Sequence, residues 1–276
     1  MNWVVKILIV IFALYVVGAL TLYFLQGRIM FAPDTNRVLP TAVNLPGLEE
    51  VVLQTKQGHK LYSWYLPAKN GQPTLLFFHG NGGNVANREE KFRQLGARGF
   101  GVFMLGYRGF GGSEGSPSES ALVEDAQLAY EHLKGQGLTP KQIVIYGESI
   151  GSSVAVQLAA KVQSGAVILE APMYSVLSIA QSRYPYVPVR AFLRDKFETN
   201  LFIKQIKSPL LIVHGSDDGV IPLSSGLALY DVAIEPKRFH VVDGAQHNNL
   251  YDFPIVQEVV RFLADYEISK IELMQN

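Results

Sequence analysis

The 276-residue sequence contains no cysteine. Disulfides, thiolate zinc sites and a cysteine nucleophile are therefore excluded, while the compartment stays open because a disulfide-free protein is stable in either redox environment. An excess of one charge sign is missing as well. Lys and Arg total 24, Asp and Glu total 24, and neither sign forms a run. No nucleic-acid partner is expected, since phosphate recognition needs a basic patch. The six histidines, at 59, 79, 132, 214, 240 and 247, lack the close pairing of a metal-binding helix, so no metal is expected. No Gly-x-Gly-x-x-Gly opens the domain, and no Lys-Ser/Thr follows its glycine-rich loop. A nucleotide or other cofactor is not expected either. Disorder is excluded by a composition that is 48% apolar and only 17% charged.

What is present begins with an apolar run. Residues 7–25 read ILIVIFALYVVGALTLYFL, without a charge or a proline. At about 1.5 Å per helical residue this nearly crosses a hydrocarbon core of roughly 30 Å. Trp3 and Tyr23 suit the two interfaces, and Lys6 can snorkel. The expectation is a single-pass transmembrane anchor over residues 3–26. A soluble core helix is one alternative. A cleavable signal peptide is the closer rival, with Val17-Gly18-Ala19 as its cleavage site. The apolar continuation Thr21-Leu22-Tyr23-Phe24-Leu25 favours the uncleaved anchor. Lys6 on one side against Arg28 and Arg37 on the other leaves the orientation undecided.

Residues 27–47 carry Pro33, Pro40 and Pro46 and read as an extended connection. From there to the end, 48–276, one domain is expected. Residues 50–55 and 61–66 are strand-like and joined by the Gly58 turn, which suggests an antiparallel hairpin. Six short, nearly continuous apolar runs follow, at 74–78, 101–105, 143–146, 166–169, 210–213 and 239–242. Such runs predict strands buried on both faces of a parallel sheet. Helical patterns lie between them. Ser116-Pro117-Ser118-Glu119 has the form of a capping box ahead of the stripe Leu122, Ala126, Ala129 and Leu133, and Ile255, Val259, Phe262 and Tyr266 make a second stripe. Eight strands with helices between them predict one doubly wound α/β domain. Residues 172–206 break the alternation without a strand, and a small helical cap or active-site loop is expected there.

Gly-x-Ser-x-Gly occurs twice, at 111–115 and 147–151. The pentapeptide is weak evidence alone, but a nucleophile elbow requires a strand before it and a helix after it. Only Ser149 has both, so Ser113 is expected to be a loop residue. A serine hydroxyl needs a base to remove its proton and an acid to orient that base. In this architecture acid and base follow the serine in chain order. The run at 210–213 leads into Asp217 and Asp218, and the run at 239–242 leads to His247. His247 is the expected base, with one of the two aspartates orienting it; spacing from the strand favours Asp218. An oxyanion hole needs two backbone N–H groups. Ile150 supplies one, and Asn81 in the loop His79-Gly80-Asn81-Gly82-Gly83-Asn84 lies where the second belongs.

In order along the chain, FFHGNGGN, GYRGFGGSEG, YGESIG, HGSDDGVIP and GAQHNN resemble a membrane-anchored α/β hydrolase of the serine-aminopeptidase-like group, near the depalmitoylase-type hydrolases and their uncharacterised bacterial relatives. The resemblance implies an α/β-hydrolase fold with a mostly parallel eight-stranded sheet. It places the nucleophile at Ser149, the acid at Asp218, the base at His247 and the oxyanion donors at Asn81 and Ile150, with no cofactor. The chemistry it implies is hydrolysis of an ester or thioester through an acyl-enzyme at a membrane. The substrate is then a small-molecule or lipid acyl compound, or an acylated protein. A peptidase or amidase on the same scaffold is the alternative, and a non-catalytic membrane-tethered scaffold is a third reading.

Overall fold

Alternating apolar strands and amphipathic helices assemble into a single eight-stranded sheet in a computed structural model that describes residues 2–269. Residues 270–276, the last part of the expected domain, lie outside the described residues. In chain order the strands are β1 (Glu49–Gln54), β2 (Lys60–Leu66), β3 (Thr74–Phe78), β4 (Gly101–Met104), β5 (Ile143–Glu148), β6 (Ala166–Glu170), β7 (Leu210–Gly215) and β8 (Lys237–Val242). Their spatial order is β8-β7-β6-β5-β3-β4-β2-β1. β2 runs antiparallel to β1 and β4, and every other neighbouring pair is parallel.

The helices among the described residues are α1 (Trp3–Met30), α2 (Glu89–Ala97), α3 (Glu119–Gly135), α4 (Ile150–Ala159), α5 (Val176–Arg183), α6 (Val189–Phe192), α7 (Thr199–Phe202), α8 (Leu223–Val232) and α9 (Ile255–Asp265). Because side chains alternate along a strand, each central strand feeds two cores. Leu76, Phe78, Ile145, Leu169 and Ile212 pack with α3 and α4 through Leu122, Ala126, Leu133 and Val154. Leu75, Phe77, Val144, Ile168 and Leu211 pack on the other face with Phe92 of α2 and Ile255, Val259 and Phe262 of α9. Both sequence stripes are thus core faces.

Two expectations need correction. The run at 239–242 was expected to be buried on both faces, yet β8 is largely half-buried and Val241 is 44% exposed. Among the described residues β8 is an edge strand with β7 as its one neighbour, and periodicity carries no information on strand order. The cap of α3 is Ser118, whose Oγ accepts from the Ala121 N–H at 3.2 Å, and not Ser116. Glu119 is unavailable for a capping box because its carboxylate accepts from Phe197 N at 2.9 Å and Gln157 Nε2 at 2.8 Å.

α1 continues to Met30, so residues 27–30 are helical rather than extended. Beyond it Ala32 and Pro33 pair in parallel with Gly82 and Gly83. Between β6 and β7 the chain forms α5, α6 and α7 and, among the described residues, no strand. The chain switches direction across the sheet at β3, which has β4 on one side and β5 on the other. A crevice opens at such a switch point, beyond the carboxyl ends of the strands. The loop after β3 and Ser149 after β5 both lie there.

Candidate active site

Ser149 stands between the last residue of β5 and the first of α4, with φ 54° and ψ −120°. A non-glycine residue occupies that region only where its surroundings impose it. They do so here: the Ser149 N–H donates to Glu170 O at 2.9 Å, and Ser152 N donates back to Ser149 O at 2.9 Å. The flanking glycines permit the close passage of helix and strand. A Cβ on Gly147 would lie 2.5 Å from Gly151 O, and one on Gly151 would lie 2.1 Å from Phe78 O. The motif is therefore a packing requirement of this turn. The other Gly-x-Ser-x-Gly serves a loop, where Ser113 Oγ accepts from Tyr62 N at 2.9 Å and donates to Gly106 O at 3.3 Å.

Residues far apart in sequence meet at Ser149. His247 Nε2 is 3.1 Å from Ser149 Oγ, and His247 Nδ1 is 2.7 Å from Asp218 Oδ2. The choice between the aspartates follows from burial. Asp217 is exposed and its Oδ1 accepts from Ser216 Oγ, while Asp218 is buried. Asp218 Oδ1 accepts from the Val220 and Ile221 N–H groups at 2.9 and 2.8 Å, and His214 Nε2 lies 3.4 Å from Oδ2. Burial alone would raise this carboxyl. Hydrogen bonds from His214, His247 and the Ile221 N–H outweigh it and hold Asp218 well below the usual carboxylate range. An ionised Asp218 accepts a hydrogen bond from the His247 Nδ1–H, which leaves Nε2 as the acceptor facing Ser149 Oγ.

The loop after β3 closes the site. A Cβ placed on Gly80 would come 3.5 Å from Ser149 Cβ, so the backbone of this loop lies against the serine. Asn81 is next. Its carbonyl accepts from Ala32 N at 3.1 Å and its Nδ2 donates to Met30 O at 2.9 Å, which pins it to the end of α1. Ile150 opens α4, where the first N–H groups have no intrahelical acceptor. His79 is buried, with Nδ1 2.7 Å from Gly80 O, and burial, reinforced by Arg88, lowers its pKa to about 3.

A group that sequence reading did not single out lies beneath the elbow. Arg88 donates to Gly82 O at 2.6 Å and to Glu148 at 3.0 Å, while Lys91 lies 2.9 Å from Glu148 and 2.7 Å from Glu170. Tyr146 OH completes the set by donating to Glu170 at 3.0 Å. Burial would raise Glu148, but Lys91 and then Arg88 hold it below the usual range; at Glu170 burial prevails and raises it. The available signal was Glu148 itself, an acid ending a buried strand, which must find cations nearby. Among the described residues no three His, Asp or Glu side chains gather as metal ligands.

Residues 69–199 match the family model described as "Serine aminopeptidase, S33". An uncharacterised Mycobacterium tuberculosis protein is 34% identical over 259 residues, covering 92% of this chain and 92% of its own. Human alpha/beta hydrolase domain-containing protein 17B is 34% identical over 206 residues, 74% of this chain and 70% of its own. The chain belongs to the alpha/beta hydrolase family. Its fold agrees with that of the Pyrococcus furiosus esterase Pf2001, at 20% identity, a TM-score of 0.67, and coverage of 85% of this chain and 98% of that one. Over residues 69–199 the chain is similar to the serine-aminopeptidase-like group that its motifs resemble. The matched segment contains Asn81, Ser149 and Ile150. Asp218 and His247 lie beyond it, and their assignment rests on the distances above.

Proposed function

We propose that this hydrolase cleaves a carboxylic ester or thioester through an acyl-enzyme on Ser149, at a membrane. The observation that carries the reading is the continuous relay from Asp218 through both nitrogens of His247 to Ser149 Oγ, at 2.7 and 3.1 Å. His247 Nε2 takes the serine proton as Oγ bonds to the substrate carbonyl carbon. Ile150 and Asn81 N–H groups stabilise the oxyanion, and His247 passes the proton to the departing alkoxide or thiolate as the acyl–O or acyl–S bond breaks. Water then attacks the acyl-enzyme with His247 as base, releasing the carboxylic acid and restoring Ser149.

The membrane part of the reading rests on α1. Its 28 residues exceed the length needed for a hydrocarbon core of roughly 30 Å. Its mean hydropathy reaches 2.6 and none of its residues is buried. Tyr15 donates to Tyr186 O at 2.9 Å, so the retained anchor of this reading also touches the hydrolase domain. The experiment is hydrolysis by the purified full chain of matched acyl esters, acyl thioesters and aminoacyl amides. Turnover of the first two above the third supports the reading. Preference for the amide establishes the peptidase alternative, and no turnover of any class leaves the scaffold.

A further inference from the structure

α1 has two unlike halves. Up to Tyr15 its side chains are exposed all round, whereas Val16, Ala19, Leu22, Tyr23, Gln26 and Met30 are partly shielded. That spacing is one helical face, and it is turned to α5 and α6. Polar bonds clasp the two bodies at either end. Tyr15 OH donates to Tyr186 O, Gln26 Nε2 donates to Phe192 O at 3.3 Å, and Gln26 Oε1 accepts from Arg194 N at 2.8 Å. Between the clasps Tyr23 meets the Phe192 ring edge-on at 6.3 Å, and beside that contact the two surfaces part. They leave a groove of about 350 Å³, walled by Leu22, Ile29 and Met30 on the anchor and by Ile179, Ala180 and Val187 on the cap. That volume falls within the range of about 300–1,000 Å³ typical of ligand sites. A second hollow, sharing Ala19, Leu22 and Val187, extends it to Tyr15 and Tyr186.

The two ends of this groove identify its occupant. At the inner end, Met30 O accepts from the Asn81 side chain, and Gly80 beside it lies against Ser149. At the outer end, Tyr15 stands midway along the apolar run 7–25, so the part of the cap that touches it sits at bilayer depth. The cap surface nearer the Tyr23 end of the run suits the membrane boundary: Phe192, 46% exposed, meets the Tyr23 ring edge-on and Arg194 lies over it, while Tyr186, 89% exposed, reaches deeper to Tyr15. Aromatic rings and snorkelling arginines are what an interface selects. The clasping amide of Gln26 is engaged at both ends, and although Arg183 and Tyr184 also line the groove, most of its wall is hydrocarbon.

We infer that the groove between α1 and the cap holds the long acyl chain of an ester dissolved in the bilayer, admitted sideways from the leaflet, with its carbonyl delivered past Asn81 to Ser149. The inference rests on the acyl hydrolysis proposed above and names the substrate class for that site. The test uses the full chain in phosphatidylcholine nanodiscs with nitrophenyl butanoate and nitrophenyl dodecanoate. The readout is the ratio of kcat/KM for the long ester over the short one. Ala180→Trp and Ala19→Trp fill the groove from opposite walls, and each is expected to lower the ratio at least tenfold. Leu14→Trp, on an exposed part of α1 outside the groove, keeps the wild-type ratio. Labelling by a fluorophosphonate at the wild-type rate certifies each variant as folded; a variant that fails this is replaced by leucine at the same position (Ala180→Leu or Ala19→Leu) and read in the same way. An unchanged ratio in the folded variants of both walls overturns the groove assignment while leaving Ser149 hydrolysis standing. Failure of the wild type to hydrolyse either ester or the butanoyl and dodecanoyl thioesters overturns the proposed function, and the groove's role with it; where only the thioesters turn over, the chain-length ratio is read on them.

Discussion

Arg88 joins Glu148, at 3.0 Å, to the carbonyl of Gly82, at 2.6 Å, so a single guanidinium fixes the residue before Ser149 to the loop that faces it. The spacing between Ser149 and the loop after β3 is thus held by a side chain that bonds Glu148 and the loop backbone. Arg88→Met should lower kcat by about 10- to 100-fold with a smaller change in KM, since misplacement of about 1 Å costs that much. It should also destabilise the fold by about 3–5 kcal/mol, because Glu148 is left buried with Lys91 alone. Arg88→Lys keeps the charge but not the two-pronged contact, and is expected to recover stability more than kcat. Steady-state kinetics and urea titration of the two variants check both statements.

The two adjacent aspartates make opposite predictions. Asp218→Asn removes the acceptor that fixes the His247 tautomer and should reduce kcat/KM by about 10³- to 10⁴-fold. Asp217→Asn alters an exposed turn residue and should leave kcat/KM within about twofold of wild type. Assay of both variants with one ester decides the assignment; equal losses would contradict it.

Glycine positions separate by what surrounds them. Gly151→Ala sets a methyl 2.1 Å from Phe78 O and should cost at least about 3 kcal/mol. Gly135, in the last turn of α3, has nothing within 4 Å of an added Cβ, and Gly135→Ala should stabilise by up to about 1 kcal/mol. Chemical denaturation midpoints measure both.

His79 gives the fold a pH dependence with a defined sign. Its folded pKa, about 3, lies below the ordinary histidine value of 6.5, so between these limits the unfolded chain binds more protons. Its stabilising contribution is therefore complete above pH 6.5 and is lost as pH falls towards 3, approaching about 1.4 kcal/mol per pH unit within that window. Asp218 acts in the same direction at lower pH, below the ordinary carboxylate value. Urea titrations at pH 7, 6 and 5 should show falling stability, and His79→Gln should flatten that slope.

Legibility in the sequence followed the range of the interaction. Strands came through because burial on both faces writes a continuous apolar run, as in TLLFF at 74–78. The placement of Ser149 on a turn was readable because strand, turn and helix are contiguous there, and the placement of Asp218 and His247 beside it because each follows a strand at a fixed edge of the sheet. β8 was misjudged in burial because position at an edge is decided by distant pairing. Ser118 was missed as the cap because the partner of Glu119 is Phe197, 78 residues away. The anchoring of Asn81 by Met30 and the coupling of Glu148 to Arg88 were hidden for the same reason: no local pattern records a contact across 51 or 60 residues.

The most direct test of the account is the intact mass of the full chain after treatment with a fluorophosphonate, with the modified peptide then sequenced. One adduct on Ser149 of the wild type and none on folded Ser149→Ala is the predicted result. An unmodified, folded wild type, or an adduct that persists in Ser149→Ala, would contradict it.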